Sequence, residues 1–190
     1  PSRGLGDVYK RQEKGLSVSV GDEGGFAPNL KTSEEVLDLI ILSIERTGLI
    51  YLDDMSIALD CAASELFSKD SYKLTGENKK FSSDEMVFYM QALVDKYEIK
   101  SVEDPFDEKD WDAWKTFTKN NNDLQIVGDD IFVTQEKILR KGIDSKVANS
   151  ILVKLNQVGT LSETMQAISL AKNSGYKTCL LYTSDAADDL

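Results

Sequence analysis

Four short apolar runs in this sequence each stop at a charged residue: Ile57-Ala58-Leu59 at Asp60, residues 99–102 at Glu103, residues 125–127 at Asp129, and Ile151-Leu152-Val153 at Lys154. Segments of helical period lie between them. Thr32 and Ser33 cap a first helix with Val36, Leu37, Ile40, Ile41 and Ile44 on one side and Gly48 at its end. A second begins at Ser82 or Ser83 and turns Met86, Met90, Leu93 and Val94 inward, and a third begins near Asp110 with Trp111 and Trp114. Thr134 caps a fourth, which Gly142 terminates, and a fifth over residues 161–173 closes at Gly175. Alternation of extended and helical periods predicts βα units around a parallel sheet, an α/β fold. At 190 residues the chain is shorter than the roughly 250 that a closed (β/α)8 barrel needs. Part of such a barrel is the expectation.

A buried charge without partners costs several kcal/mol, so four strands that each end in one are expected to bring those ends together. In a parallel α/β barrel the C-terminal strand ends share one face, where active sites form. A lone acid at such a position more often caps the next helix, but three acids and a lysine in succession favour convergence.

Composition narrows the chemistry. With 33 acidic against 22 basic residues and a net charge of −11, the chain repels nucleic acid and anionic membranes. It has no histidine and two cysteines, Cys61 and Cys179, outside any CxxC pair. That excludes a histidine-based zinc site and suits a reduced, cytoplasmic setting. No apolar stretch is long enough to span a bilayer.

Asp60, Glu103 and Asp129 form a set of hard oxygen donors, which suits Mg²⁺ with its octahedral coordination at about 2.0–2.1 Å. Asp104 and Asp130 adjoin two of them, and alternation along a strand does not say which of each pair faces inward; a surface acid or helix cap is the simpler role for the neighbours. Lys154, partly desolvated beside cations, would have its pKa drawn down from about 10.4 towards that of a general base. A structural ion pair with the same carboxylates is its other reading. In Gly21-Asp22-Glu23-Gly24-Gly25 the glycines allow close approach to a ligand. No Gly-Lys-Ser/Thr follows, so the stretch is not a phosphate loop. Glu23 is placed there to donate a proton, or the stretch is an ordinary glycine turn.

Five strings, around residues 19–29 (GDEGGFAPN), 57–65 (IALDCAASE), 101–111 (SVEDPFDEKDW), 125–130 (QIVGDD) and 151–164 (ILVKLNQVGTLSET), resemble enolase in order and spacing over residues 13–178, closest to bacterial members. The resemblance implies a partial TIM-like (β/α)8 barrel of the enolase C-terminal domain, without the family's smaller N-terminal α+β domain. It implies Mg²⁺ held by Asp60, Glu103 and Asp129, and removal of water from 2-phosphoglycerate to give phosphoenolpyruvate. Lys154 would take the C2 proton and Glu23 would assist the C3 hydroxyl. The general pattern of a lysine base with Mg²⁺ is common to the enolase superfamily.

The family's serine-bearing loop for a second magnesium ion, its phosphate-gripping Ser-His-Arg-Ser-Gly segment and its second lysine have no counterpart here. Residues 1–12 and 179–190 read as non-native additions. The chain is therefore expected to be an inactive piece of a parent enzyme that is homodimeric in this family and at times displayed on the cell surface. A superfamily dehydratase of acid sugars and a non-catalytic scaffold are the competing functions.

Overall fold

The computed structural model of the chain describes residues 30–181. Helix α1, Ser33–Arg46, starts where Thr32 accepts a hydrogen bond from the Glu35 N–H. Strand β1, Ala58–Asp60, follows, and then a hairpin of β2, Tyr72–Leu74, and β3, Lys79–Phe81. Helix α2, Ser83–Tyr97, opens with a reciprocal capping box between Ser82 and Glu85. The chain then alternates β4 (Ser101–Glu103), α3 (Trp111–Asn120), β5 (Gln125–Gly128), α4 (Glu136–Ser145) and β6 (Ser150–Val153). One turn of helix, α5 (Leu155–Val158), precedes α6 (Leu161–Asn173) and β7 (Lys177–Leu180). No described helix is long and apolar enough to cross a membrane.

The strands form one sheet in the order β1-β4-β5-β6-β7, parallel throughout. Each strand lies beside the next in the chain apart from the hairpin excursion, as in successive βα units of a barrel. Burial follows from this layering. All four residues of β6 are buried, because a parallel strand has helices on one side and the barrel interior on the other. Between sheet and helices, Phe106 packs edge-on against Trp114 and Phe117, with ring centroids 6.1 and 5.4 Å apart. The Trp114 indole N–H is satisfied by the Asp107 carbonyl at 3.2 Å.

Several expectations need correction. Gly142 does not end α4: it lies inside the helix, where the absent side chain makes room for the Phe132 ring, and the left-handed Lys146 ends the helix instead. Thr134 does not cap α4 either, since Gln135 occupies that position and Thr134 is buried with its hydroxyl directed elsewhere. On α1 only Leu37 and Ile44 are buried, while Val36 and Ile40 are 39% and 38% exposed. Leu37 and Ile44 are two turns apart on one line, whereas Val36 and Ile40 lie about 100° round the helix from Leu37 and Ile41. The hairpin had no expected counterpart. Its strands are three residues each, too short for a periodic signal.

The hairpin anchors α1 through Glu77, whose side chain is only 5% exposed. Its carboxylate accepts from the Ser33 N–H and hydroxyl, both at 2.8 Å, from the Tyr89 hydroxyl at 2.7 Å and from Lys79 at 2.7 Å. Burial works to raise this carboxyl's pKa, but the Lys79, Ser33 and Tyr89 bonds together hold it at about 2 against an ordinary 4.5. A depressed folded-state pKa gives stability that is present above the unfolded value and lost as pH falls from 4.5 through about 2. Urea unfolding is expected to show Glu77→Gln about 1–3 kcal/mol less stable than wild type near neutral pH, with the difference narrowing across that window. A gap independent of pH would rule out this clasp.

Candidate active site

The site lies at the C-terminal ends of β1, β4, β5 and β6. Parallel pairing puts Asp60 directly beside Glu103, with the Cys61 N–H donating to the Glu103 carbonyl at 2.9 Å. On the other side Glu103 is level with Val127, so Asp129, two residues further along, emerges on the same face one step higher. Lys154 follows β6, and its Nζ lies 2.9 Å from Asp129 Oδ2 with the two side chains 22% and 9% exposed. The structure thus gathers Asp60, Glu103, Asp129 and Lys154 at one mouth. Glu23 lies outside the described residues.

Charge density at this mouth is high. Burial pushes the Glu103 carboxyl up to about 8, aided by the negative charges of Asp60, Asp129 and Asp104 and opposed by Lys154. Three other chain segments, besides its own, therefore bear on one carboxyl group. Asp130 is also raised, by burial first and then by Asp129 and Glu108, with Lys154 again opposing. Carboxylates held this close repel, and a cation relieves that repulsion.

Asp104 is neither a surface acid nor a helix cap. It is 3% exposed, and its two oxygens accept the backbone N–H groups of Asp129 at 3.0 Å and Asp130 at 2.9 Å. Burial pushes its carboxyl up to about 7 despite those bonds, and Asp130 and Asp129 add to the rise. Asp104 thereby ties the end of β4 to the turn that presents Asp129. The backbone beyond the strands is twisted to make such turns: Ala62, Asp104, Val133 and Thr134 have φ of 40°, 41°, 42° and 55°. Left-handed geometry is costly for β-branched residues such as Val133 and Thr134 and persists only where surrounding bonds impose it.

Asp129 is gripped on both oxygens, Oδ2 by Lys154 and Oδ1 by the side-chain amide of Gln157 at 2.8 Å. The Gln157 carbonyl in turn accepts from the Thr134 hydroxyl at 2.7 Å, whose oxygen accepts from the Lys154 N–H at 3.0 Å. Sequence reasoning missed Thr134 and Gln157 as site residues. Gln157 carried one usable signal: it lies three residues after Lys154, on the same side of a helical turn.

The donors are oxygens throughout, so the cluster fits a hard divalent cation. Asp104, Asp129 and Asp130 each have an oxygen within 4.8 Å of the others among the described residues, yet Asp104 already spends both oxygens on backbone N–H groups. Asp129 is the carboxylate common to this trio and to the expected Asp60, Glu103, Asp129 set, whose oxygens do not all come within 4.8 Å of one another in this structure.

Comparison with known families agrees with the architecture. A family model described as the enolase C-terminal TIM barrel domain matches residues 3–190. Five parallel strands with helices between them fit part of that barrel, in which active sites form at the C-terminal strand ends. The chain belongs to the enolase C-terminal TIM barrel family.

Proposed function

We propose that this chain supplies the metal-holding acids and the base of an enolase, which removes water from 2-phosphoglycerate to give phosphoenolpyruvate. The supporting observation is the convergence of Asp60, Glu103, Asp129 and Lys154 on one mouth of the family's barrel. Lys154, in its neutral form, takes the proton from C2 of the substrate. Glu23 gives a proton to the C3 hydroxyl as it leaves as water. Asp60, Glu103 and Asp129 would hold Mg²⁺, which when bound supplies positive charge against the substrate carboxylate and competes with Lys154 for the charge of Asp129. The carbon acid next to a carboxylate is very weak, so base and counter-charge must act together.

The same reading places the protein in the cytoplasm, with free thiols at Cys61 and Cys179, and makes the parent enzyme a homodimer. The 190-residue chain is proposed to bind the cation without turning over substrate, because β1 and β7 end the sheet without partners among the described residues. Turnover of 2-phosphoglycerate by the isolated chain would contradict this, and absence of turnover by the full-length parent would sink the enolase reading itself.

Glu103 offers a direct test of the metal site. A carboxyl whose folded-state pKa is raised penalises the metal-free fold progressively as pH climbs from 4.5 through about 8. Glu103→Gln is therefore expected to stabilise the metal-free chain by about 2 kcal/mol at mildly alkaline pH and to abolish the rise in Tm that Mg²⁺ gives the wild type. Equal Mg²⁺ stabilisation of both proteins in thermal denaturation would remove Glu103 from the site.

A further inference from the structure

The side chains of Thr134 and Gln157 form a closed circuit with both ends of Lys154. The Lys154 N–H donates to Thr134 Oγ1 at 3.0 Å, the Thr134 hydroxyl donates to Gln157 Oε1 at 2.7 Å, and Gln157 Nε2 donates to Asp129 Oδ1 at 2.8 Å. The 2.9 Å ion pair from Asp129 Oδ2 back to Lys154 Nζ closes it. Each link has one sense. A carboxylate only accepts, so the amide nitrogen of Gln157 must face Asp129 and its carbonyl must face Thr134. Thr134 Oγ1 receives the Lys154 N–H, which leaves its own proton for Gln157; the alternative acceptor, the Leu152 carbonyl, is at 3.5 Å.

From this circuit we infer that Gln157 is a positioning residue, held in orientation by Thr134, which sets the direction of the Asp129 carboxylate and so its affinity for a divalent cation. The inference rests on the metal-binding reading proposed above. Gln157 is suited to the role because it starts from the single helical turn whose N-cap is Lys154 itself. Base and orienting amide thus move as one piece. Thr134 is fully buried and sits in a left-handed conformation that a β-branched residue adopts only under constraint. Without Gln157, Oδ1 loses its fixed donor and the carboxylate is held by the Lys154 ion pair on Oδ2 alone. Polar partners of this kind that orient a metal ligand typically contribute 10- to 100-fold to affinity.

Titration of the 190-residue chain with Mg²⁺ and with Mn²⁺ by calorimetry tests the inference. Gln157→Leu, which keeps the volume of a partly exposed side chain and loses its amide, is expected to weaken cation binding about tenfold. At Thr134 the two substitutions should separate orientation from packing: Thr134→Val keeps the shape and loses the hydroxyl, while Thr134→Ser recovers most of what valine loses. A packing role would give the reverse order. Gln157→Leu binding within about twofold of wild type, or valine outperforming serine, overturns the assignment.

A metal-free measurement distinguishes this outcome from failure of the metal reading. In urea, the losses of stability from Gln157→Leu and Asp129→Ala are expected to be non-additive, since both remove the same hydrogen bond. If wild type binds neither cation, the metal reading falls and this cycle alone decides whether Gln157 orients Asp129. Strict additivity then overturns it.

Discussion

On the proposed enolase reading, Lys154→Ala in the enzyme that carries this chain is expected to lower the rate of 2-phosphoglycerate dehydration by about 10³-fold, the typical contribution of a positioned general base. The ion pair at 2.9 Å with Asp129 leaves two roles open, base or structural partner, and Lys154→Arg separates them. Arginine keeps the positive charge facing Asp129 but does not release its proton in the working range. It is therefore expected to be as inactive as alanine while retaining the folded site. Steady-state rates for the two variants, with circular dichroism to verify folding, make the comparison. An arginine variant with more than about a tenth of wild-type activity would show that charge and not proton transfer is what position 154 supplies. Cation affinity gives an independent sign. Removing the ammonium by Lys154→Ala frees Asp129 and should tighten Mg²⁺ binding to the chain, whereas arginine should not.

Phe132→Ala is expected to cost about 3–5 kcal/mol of stability, at the upper end for a buried aromatic residue. The ring is completely buried and fits against two glycines. A methyl group built on Gly142 would come within 2.4 Å of Phe132 Cε1, and one on Gly128 would meet the other edge of the ring at 2.6 Å. Blocked from both sides, the ring has nowhere to shift. Gly142→Ala therefore sets about 1 kcal/mol of improved helix propensity against about 1–3 kcal/mol of overpacking. Overpacking wins in a site this rigid, and a net loss is expected. The double variant should be less damaged than the two losses added, because the methyl group introduced at position 142 then projects into space the ring has vacated. Urea denaturation of the three variants measures all of these terms. Additive losses would show that glycine and ring do not share that space. Phe132 also immediately precedes the constrained Val133 and Thr134, so its loss should loosen the turn that carries the Thr134 hydroxyl.

The elements of regular period were legible from composition and spacing. Ser82 or Ser83 marked the start of α2, where the structure places the cap at Ser82, and the apolar runs before Asp60, Glu103 and Lys154 marked strands, of which β6 is buried throughout while β1, at the edge of the sheet, is largely exposed. Three details were not legible. Gly142 read as a helix end because glycine commonly stands there, yet what it does is admit a ring from a segment ten residues earlier. Thr134 resembled an N-cap for a helix that in fact begins at Glu136. Asp104 looked like a surface neighbour of Glu103, since one residue's difference reverses the face and nothing local discloses that its two oxygens meet N–H groups in the turn after β5.

By itself the amino-acid sequence determined which residues carry charge at the ends of buried strands, and hence that an oxygen-rich, acidic mouth would form opposite a lysine. Those are consequences of periodicity and of the cost of leaving charges unpaired, both local properties of the chain. Tertiary structure alone decided how the carboxylates are aimed: Asp104 towards backbone, Asp129 between Lys154 and Gln157. Side-chain direction at such a site depends on donors that arrive from other strands, at distances a linear pattern does not encode.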